Sequence, residues 1–421
     1  MMRIVPRKRL YLIVILLAVT TVTALATGLG IFYRLLYIMA LAAGLSFIWS
    51  WLSLKALNVV VDRRRLQVQV GDPLNENITV ENLSKLPRPG IVVEDTSDLP
   101  GFSTGRVVHL GPSSRQSWIA TGTARKRGLY TLGPIRLSCI DPFGLFNTEQ
   151  IRHGSVSVVV YPKTYEVPEF SMPAALLSGE SSLKKRTHDL TPYASSIREY
   201  AAGDSLSRVH WNSTARLGKL MSKDFDEGRS SDVWVVVDLH RDVQAGTLED
   251  STDEYAVSIG ASLAKRFLAT GLPVGMLVYG DKKYVVPAET GSGQLDQMME
   301  YLARAKATGN VTLGEALPKD EALWTNHTTL IVITASPRQE WVTALQELMR
   351  RRVRIASVLL DGRSFGGFFD SREALKYLDN AGVPTYLVRN GENVSVALSR
   401  VHNATETNSS IRPELVGTVA S

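Results

Sequence analysis

The side chains best suited to chemistry follow a short apolar run in the second half of the chain. Asp238 ends the run Val-Trp-Val-Val-Val-Asp, and His240 and Asp242 follow at alternate positions. Thr312 lies in a later polar stretch. Carboxylate and hydroxyl oxygens suit a hard cation such as Mg²⁺, whereas an imidazole shifts the preference towards softer ions. The set is therefore a candidate for a Mg²⁺ site, for an Asp/His transition-metal site, or for a metal-free loop that these residues cap.

The sequence lacks the short motifs of common catalytic sites. It has no Gly-x-Ser-x-Gly elbow, no phosphate-binding glycine loop ending in Lys-Ser/Thr and no His-Glu-x-x-His. Asp204 and His210 could pair as acid and base, but no nucleophile accompanies them. We therefore expect that the protein is not an enzyme.

A second set of charged and aromatic residues lies between residues 198 and 228. Buried charges have to be paired, so a mixed set of this kind can hold a loop layer against a sheet. Tyr200 and Trp211 would supply the apolar mass beneath that clasp. Because tryptophan, tyrosine and arginine dominate interface hot spots, a partner-docking surface is the alternative. The candidates for either role are Tyr200, Gly203, Asp204, Arg208, Trp211, Arg216, Lys223, Phe225 and Asp226.

The elements that would position these residues alternate between strand and helix from residue 232 onward. Apolar runs predict strands at 233–239, 274–279, 330–334, 355–360 and 385–388, and helical spacing predicts helices at 254–269, 293–306, 338–349 and 371–381. Repeated β–α units of this kind give a doubly wound parallel sheet. Ligands bind such sheets at the carboxyl ends of the strands, where Asp238 lies.

The earlier part of the chain predicts a different fold. Short alternating runs, separated by Gly, Pro, Asn and Asp, indicate a small all-β sandwich. Asp141 opens an Asp-Pro-Phe-Gly turn, which its carboxylate is expected to cap. We divide the chain into a membrane anchor (1–58), this β domain (59–165), a Pro- and Ser-rich linker (166–197), the α/β domain with the charged segment (198–401) and a flexible tail (402–421).

Two uncharged apolar stretches, residues 10–30 and 35–54, each supply the roughly twenty residues that a helix needs to cross a bilayer. A cleavable signal peptide is the alternative for the first stretch, but its apolar length and the second stretch argue against it. Only Arg34 lies between them, whereas basic residues flank the pair: Arg3, Arg7, Lys8, Arg9, Lys55, Arg63, Arg64 and Arg65. The positive-inside rule then predicts a two-span protein of the cell membrane, with both termini and the soluble domains in the cytoplasm.

Composition limits the choice of partner. The net charge of +6 is modest for 421 residues, and its basic clusters beside apolar spans favour a lipid bilayer over nucleic acid. The single cysteine, Cys139, excludes an intrachain disulfide framework and any multi-cysteine metal site.

The charged segment resembles the signature of the DUF58 family. The resemblance lies in an ordered series: Arg-Glu-Tyr at 198–200, Gly-Asp at 203–204, Arg208, Trp211, Ala-Arg at 215–216 and Lys-Asp-Phe-Asp at 223–226. A weaker resemblance covers residues 127–146. It implies a bacterial or archaeal membrane-attached protein with a von Willebrand factor A-like domain. It also implies association with MoxR-type AAA+ ATPases and other von Willebrand A-domain proteins.

The von Willebrand A fold binds a divalent cation through Asp-x-Ser-x-Ser after the first strand, a threonine from a middle loop and a later aspartate. Asp238 and Thr312 resemble two of these positions, but His240 and Asp242 occupy the serine positions. Ala335 and Ser336 replace the later aspartate. We therefore expect a metal-free loop and no cofactor.

These observations together predict a membrane-anchored cytoplasmic adaptor or scaffold that assists a MoxR-type AAA+ ATPase in complex assembly or maturation. The alternative is a metal-dependent hydrolase that uses Asp238, His240 and Asp242. A third interpretation is a cell-envelope sensor whose sandwich binds a ligand.

Overall fold

The computed structural model describes residues 2–62, 67–103, 105–152, 154–168, 170, 196–200, 209–224 and 232–402. The chain forms two compact units, Met1–Lys163 and Thr164–Ser421, which we call the β unit and the α/β unit. The predicted tail, apart from residue 402, and residues 171–195 of the predicted linker lie outside the described residues.

The β unit contains two apolar helices near its start, α1 (Lys8–Thr27) and α2 (Gly30–Ser53). Both are long and apolar enough to cross a membrane by length and composition. Gly28, in the left-handed conformation at φ 66°, ends α1 by donating its N–H to the Ala24 carbonyl. Only Gly28 and Leu29 separate the helices, so Arg34, which we placed in the connection, lies inside α2.

The β unit contains eleven strands within its described residues. They are β1 (Met2–Pro6), β2 (Leu57–Asp62), β3 (Gln67–Gln69), β4 (Pro73–Asn82), β5 (Arg88–Asp95), β6 (Arg106–Leu110), β7 (Arg115–Thr123), β8 (Gly128–Leu132), β9 (Ile135–Ile140), β10 (Phe146–Arg152) and β11 (Val156–Tyr161). They form a five-stranded sheet, β1-β10-β9-β5-β6, and two three-stranded sheets, β2-β4-β7 and β3-β11-β8. Alternate side chains, Ile78, Ile91 and Leu137 among them, point into one shared core.

The end of α2 belongs to that core. Ser46, Ser50 and Ser53 share one helix face and are all buried, and Leu54 after them is a core residue. The Ser50 carbonyl accepts a hydrogen bond from Thr148 Oγ1 of β10 at 3.0 Å. Small side chains let a helix approach a neighbour closely, so this serine face seats α2 against the sheet.

The turn at Asp141 holds the same junction. Its carboxylate accepts from the backbone N–H groups of Phe143 at 2.9 Å and Phe146 at 2.6 Å, which confirms the predicted turn cap. The carboxylate also accepts the Ser46 hydroxyl, a contact that we did not predict. One buried acid therefore fixes both the turn and the apolar helix.

The elements of the α/β unit follow in chain order. They are β12 (Ser196–Glu199), α3 (Trp211–Leu217), β13 (Met221–Asp224), β14 (Val233–Asp238), β15 (Gly246–Thr247), β16 (Asp250–Ser251), α4 (Thr252–Ala269), β17 (Val274–Tyr279), β18 (Lys283–Glu289), α5 (Ser292–Arg304), α6 (Leu313–Lys319), β19 (Thr329–Thr334), α7 (Glu340–Arg350), β20 (Arg354–Leu360), α8 (Ser371–Asn380), β21 (Thr385–Val388) and α9 (Val394–Ala397).

Six of these strands form the central sheet, in the order β18-β17-β14-β19-β20-β21. Five run parallel, but β18 pairs antiparallel with β17 at the edge, so the prediction of a wholly parallel sheet is wrong there. Helices α6, α7 and α8 pack on the face that carries Trp234 and Val236. Gly260 of α4 packs against Val235 and Val237 on the other face.

Helix α4 is buried on nearly all sides. Part of its cover comes from residues directly after 164, where Tyr165 donates its N–H to Ser262 Oγ at 2.8 Å. Val167 and Phe170 are buried in the same layer. The first residues of the predicted linker are therefore part of the α/β unit, because their apolar side chains complete the packing around α4.

Candidate functional site

Asp238 lies at the carboxyl end of β14 and is 1% exposed. Its Oδ1 accepts the backbone N–H of His240 at 3.0 Å, and its Oδ2 accepts the hydroxyl of Thr334 at 2.7 Å. Thr334 ends the neighbouring strand β19 and accepts in turn from the Ser336 N–H at 2.9 Å. Both carboxyl oxygens are thus engaged by the protein itself.

Burial raises the pKa of the Asp238 carboxyl above its usual range. The hydrogen bonds from Thr334 and from the His240 backbone favour the ionised form and oppose that shift, but removal from water outweighs them. The site therefore resembles a structural acid held in a dry loop layer more than an open ligand.

The other sequence candidates surround Asp238 without converging on a metal position. His240 is buried, and its Nδ1 accepts the Asp242 N–H at 3.3 Å. The Asp242 side chain is more than half exposed and pairs with Arg241 at 3.3 Å. Thr312 begins α6, where its carbonyl accepts from the backbone of the first turn. Among the described residues, no group of three or more His, Cys, Asp and Glu side chains could hold a metal ion.

Sequence reasoning missed the hydroxyl that contacts Asp238. We assigned hydroxyl ligands to the positions of the von Willebrand A pattern, whereas Thr334 supplies the contact from the last residue of an apolar run. Gln244 closes the loop from the other side, because its Nε2 donates to the carbonyls of Asp238 and His240, each at 3.2 Å. The polar groups at this edge therefore satisfy one another.

The same sheet edge carries a loop that sequence reasoning also missed, residues 361–370, which we call the phenylalanine loop. It follows β20, and its Phe365 points inward against Tyr255 with ring centroids 4.9 Å apart. Phe368 points outward and is 100% exposed, and Phe369 is 47% exposed. The available signal was Gly-Gly-Phe-Phe-Asp directly before a helix, a pair of aromatic residues in a polar loop.

Local packing makes the phenylalanine loop a defined platform. Gly367 approaches Ala245 so closely that a Cβ at this glycine would lie 2.7 Å from the alanine Cβ. Asp361 accepts the Ser371 hydroxyl at 2.9 Å, and Asp370 caps α8 by accepting the Arg372 N–H at 3.0 Å. Both ends of the loop are therefore fixed to the helix that follows.

A groove of about 620 Å³ runs beside the two exposed phenylalanines. Its lining combines both signs of charge with apolar surface. The lining residues are Pro337, Arg338, Gln339, Glu340, Phe368, Phe369, Asp370, Arg372, Glu373, Lys376 and Tyr377. Such a mixture is typical of the rim and core of a protein interface.

The charged segment forms a separate feature, a two-stranded ribbon of β12 and β13 with α3 between these strands in the chain. His210 caps α3, with its Nδ1 accepting the Ser213 N–H at 3.2 Å. Trp211 is 64% exposed, which contradicts our expectation that it packs beneath a clasp. Arg216 is exposed in the last turn of α3, Tyr200 is half-buried, and Lys223 lies on β13 opposite Ile197. Gly203, Asp204, Arg208, Phe225 and Asp226 lie outside the described residues.

In comparisons with known proteins, a single family model covers both the charged segment and the first part of the α/β sheet. Residues 196–364 match a family model described as "Protein of unknown function DUF58". The chain is 24% identical over 254 residues to the "Uncharacterized protein YeaD" of Bacillus subtilis (strain 168). That match spans 57% of this chain and 60% of the Bacillus protein's length.

Similarity to solved structures is slight. Proximal thread matrix protein 1 from the mussel byssus is 13% identical with a TM-score of 0.28, covering 40% of this chain and 45% of the mussel chain. The CARDB domain of a Pyrococcus furiosus protein is 17% identical with a TM-score of 0.19, covering 25% of this chain and 91% of the CARDB chain. These scores are too low to assign a fold.

Proposed function

We propose that this chain, a member of the DUF58 family, is a membrane-anchored cytoplasmic adaptor that docks its partner at the carboxyl edge of the α/β sheet. The observation that carries the proposal is the contrast at this edge. The buried Asp238 is closed off by its own neighbours, whereas Phe368 stands fully in solvent beside a groove. A single exposed apolar residue is ordinary, but a pair of exposed aromatic residues beside a groove marks a contact surface.

Anchoring rests on α1 and α2. Strand β1 pairs with β10, so the chain segment before α1 lies with the β unit, as does the segment after α2. The two helices therefore fit a hairpin that enters and leaves a bilayer on the same side. The basic residues flanking the hairpin favour the cytoplasmic side for that face.

The charges around the groove favour a protein partner. Arg338, Arg372 and Lys376 are balanced by Glu340, Asp370 and Glu373 in the same lining. A nucleic-acid surface would carry an excess of positive charge to neutralise phosphates. A balanced rim around exposed aromatic rings matches protein–protein recognition instead.

The partner that we propose is a MoxR-type AAA+ ATPase, with other von Willebrand A-domain proteins as further members of the assembly. This choice rests on the resemblance of the signature segment to the DUF58 family. A von Willebrand A-like character of the α/β unit belongs to the same proposal, supported by the strand order of its sheet and the helices on both faces.

The alternative, a metal-dependent hydrolase at Asp238, His240 and Asp242, has less support. A cation at Asp238 would have to displace the Thr334 hydroxyl or the His240 N–H, which already occupy the carboxyl oxygens. Asp242 turns its carboxylate to Arg241 at the surface. The arrangement has no position where the three side chains meet.

In-cell photo-crosslinking of the full-length protein tests the proposal. A photoreactive amino acid at position 368 or 369 should crosslink an AAA+ ATPase, identified by mass spectrometry. The matched control carries the same amino acid at Gln297, an exposed residue of α5. Absence of any protein crosslink at the phenylalanine loop, or equal crosslinking at position 297, would refute docking at this edge.

A further inference from the structure

The β unit passes into α1 almost without a connection. Pro6 ends β1 and Lys8 begins α1, so Arg7 alone separates sheet from helix. The N–H of Arg7 donates to the Leu145 carbonyl at 2.9 Å, which ties the start of α1 to the turn that contains Asp141. Residues 141–145 form this turn, which we call the junction turn.

The length of this connection fixes the depth of the junction turn. Leu10 is the first residue of the uncharged apolar run, and at 1.5 Å per residue it lies about 4.5 Å along the helix from Arg7. The polar layer on each side of a bilayer is about 5–8 Å thick, half the difference between the total and hydrocarbon thicknesses. If Leu10 marks the hydrocarbon boundary, the junction turn lies within the headgroup layer. This step rests on the proposed membrane insertion of α1.

The side chains at this depth match an anionic lipid surface. Phe143, at the tip of the junction turn, is 55% exposed. The guanidinium of Arg9 lies over Gly144, with its Nη1 3.0 Å from where a Cβ would be. Arg7, Lys8 and Arg9 are all exposed, and within the described residues none of the three makes an ion pair.

The acid nearest to these cations does not neutralise them. The Asp141 carboxylate is buried and accepts the Ser46 hydroxyl together with two backbone N–H groups of its own turn. The junction therefore presents positive charge and exposed aromatic surface together.

We infer that the junction turn and residues 7–9 form a docking surface for anionic phospholipid. The ring of Phe143 inserts between headgroups, and the cations of residues 7–9 contact the lipid phosphates. The β unit is thereby held directly against the bilayer surface. The hairpin does not act as a flexible tether, since neither α1 nor α2 is separated from the sheets by a free linker.

Depth-dependent fluorescence quenching of the full-length protein in vesicles tests this inference. A cysteine at position 143, in a Cys139→Ser background, carries an environment-sensitive dye. The matched control carries the dye at Ile151, which is 54% exposed and lies on β10 at the end away from α1. That position is about 17 Å from Phe146 along the strand. The vesicles contain phosphatidylcholine alone or with phosphatidylglycerol, and nitroxide-labelled lipid is the quencher.

We expect headgroup-level nitroxide to quench the dye at position 143 and not at position 151, with stronger quenching when phosphatidylglycerol is present. Arg9→Gln should raise the phosphatidylglycerol fraction needed for half-maximal quenching about fivefold, the effect of one surface cation. Equal quenching at both positions, or none at 143, overturns the inference. Flotation of the protein with vesicles is measured in the same samples. Failure to float would refute membrane anchoring itself, whereas flotation without quenching at 143 refutes only the docking surface.

Discussion

Replacement of Asp238 by Asn or by Ala separates a structural acid from a cation ligand. Asn has nearly the same shape and can still accept the His240 N–H while its amide donates to Thr334. Ala leaves the His240 N–H and the Thr334 hydroxyl proton without the acceptor that Asp238 provides. The two variants therefore differ in hydrogen bonding, and both remove the charge.

The expected magnitudes follow from these contacts. Asp238→Ala should lower the free energy of unfolding of the α/β unit by about 3 kcal/mol, because two buried hydrogen bonds to one acceptor are lost. Asp238→Asn should lower the free energy of unfolding by less than about 1.5 kcal/mol at low pH, where the wild-type carboxyl is protonated.

The pH dependence has a definite sign. The folded pKa of Asp238 lies above its unfolded value, so the folded state holds the proton more tightly. Wild-type stability is therefore greatest below the usual aspartate range and falls as the pH rises towards the folded pKa. Each pH unit between the unfolded and the folded pKa lowers the free energy of unfolding by about 1.4 kcal/mol. The Asn variant carries no titrating proton at this position, so its stability relative to the wild type should increase as the pH rises.

Hydrogen exchange measured by mass spectrometry on the full-length protein checks this prediction. Peptides from β14 and β19 report on the site, and exchange rates, corrected for intrinsic exchange, are compared at about pH 5 and about pH 8. Addition of Mg²⁺ should leave wild-type protection unchanged. Protection that rises with Mg²⁺, or an Asn variant as unstable as the Ala variant, would show that the charge itself is needed and would refute our reasoning.

Four further substitutions have defined outcomes. Asp141→Ala removes three hydrogen bonds and should destabilise the β unit by about 3 kcal/mol, whereas Ser46→Ala removes one and should destabilise it by about 1 kcal/mol. The reactivity of the single, buried cysteine in detergent-solubilised protein measures both effects. Equal effects of the two substitutions would contradict the assignment. Gly275→Ala should lower the free energy of unfolding by about 1–3 kcal/mol through overpacking, because the new Cβ would lie 2.6 Å from the Trp234 ring. A melting temperature equal to that of the wild type would contradict this prediction. Trp211→Ala should change the free energy of unfolding by less than about 0.5 kcal/mol because the ring is exposed. A marked loss of stability in a thermal melt would instead support the structural clasp.

The sequence predicted most of the α/β sheet because its parallel strands are buried on both faces. The runs at β14 and β19 are therefore almost continuously apolar, and they are hard to mistake. Strand β18 was missed because it is a half-exposed edge that contains Pro287. At such an edge, polar residues and proline are tolerated and weaken the pattern.

The contacts of the candidate site could not be predicted in the same way. Thr334 and Asp238 are 96 residues apart, and only the pairing of β14 with β19 brings them to one level. The exposure of Phe368 is likewise a property of the folded loop. Ser46, Ser50 and Ser53 are a different case, since their helical spacing in an apolar stretch was a readable signal of a packed face.

Strand β1 gives the chain a particular order of assembly. Residues 2–6 are synthesised before Phe146, which pairs with Pro6 and follows both apolar helices and most of the β unit. Closing so long a loop makes the pairing slow, and until it forms the edge of β10 is open. A change that delays or blocks the pairing of residues 2–6 should therefore prolong the lifetime of an incomplete sheet, with aggregation at the open edge of β10 as its expected consequence.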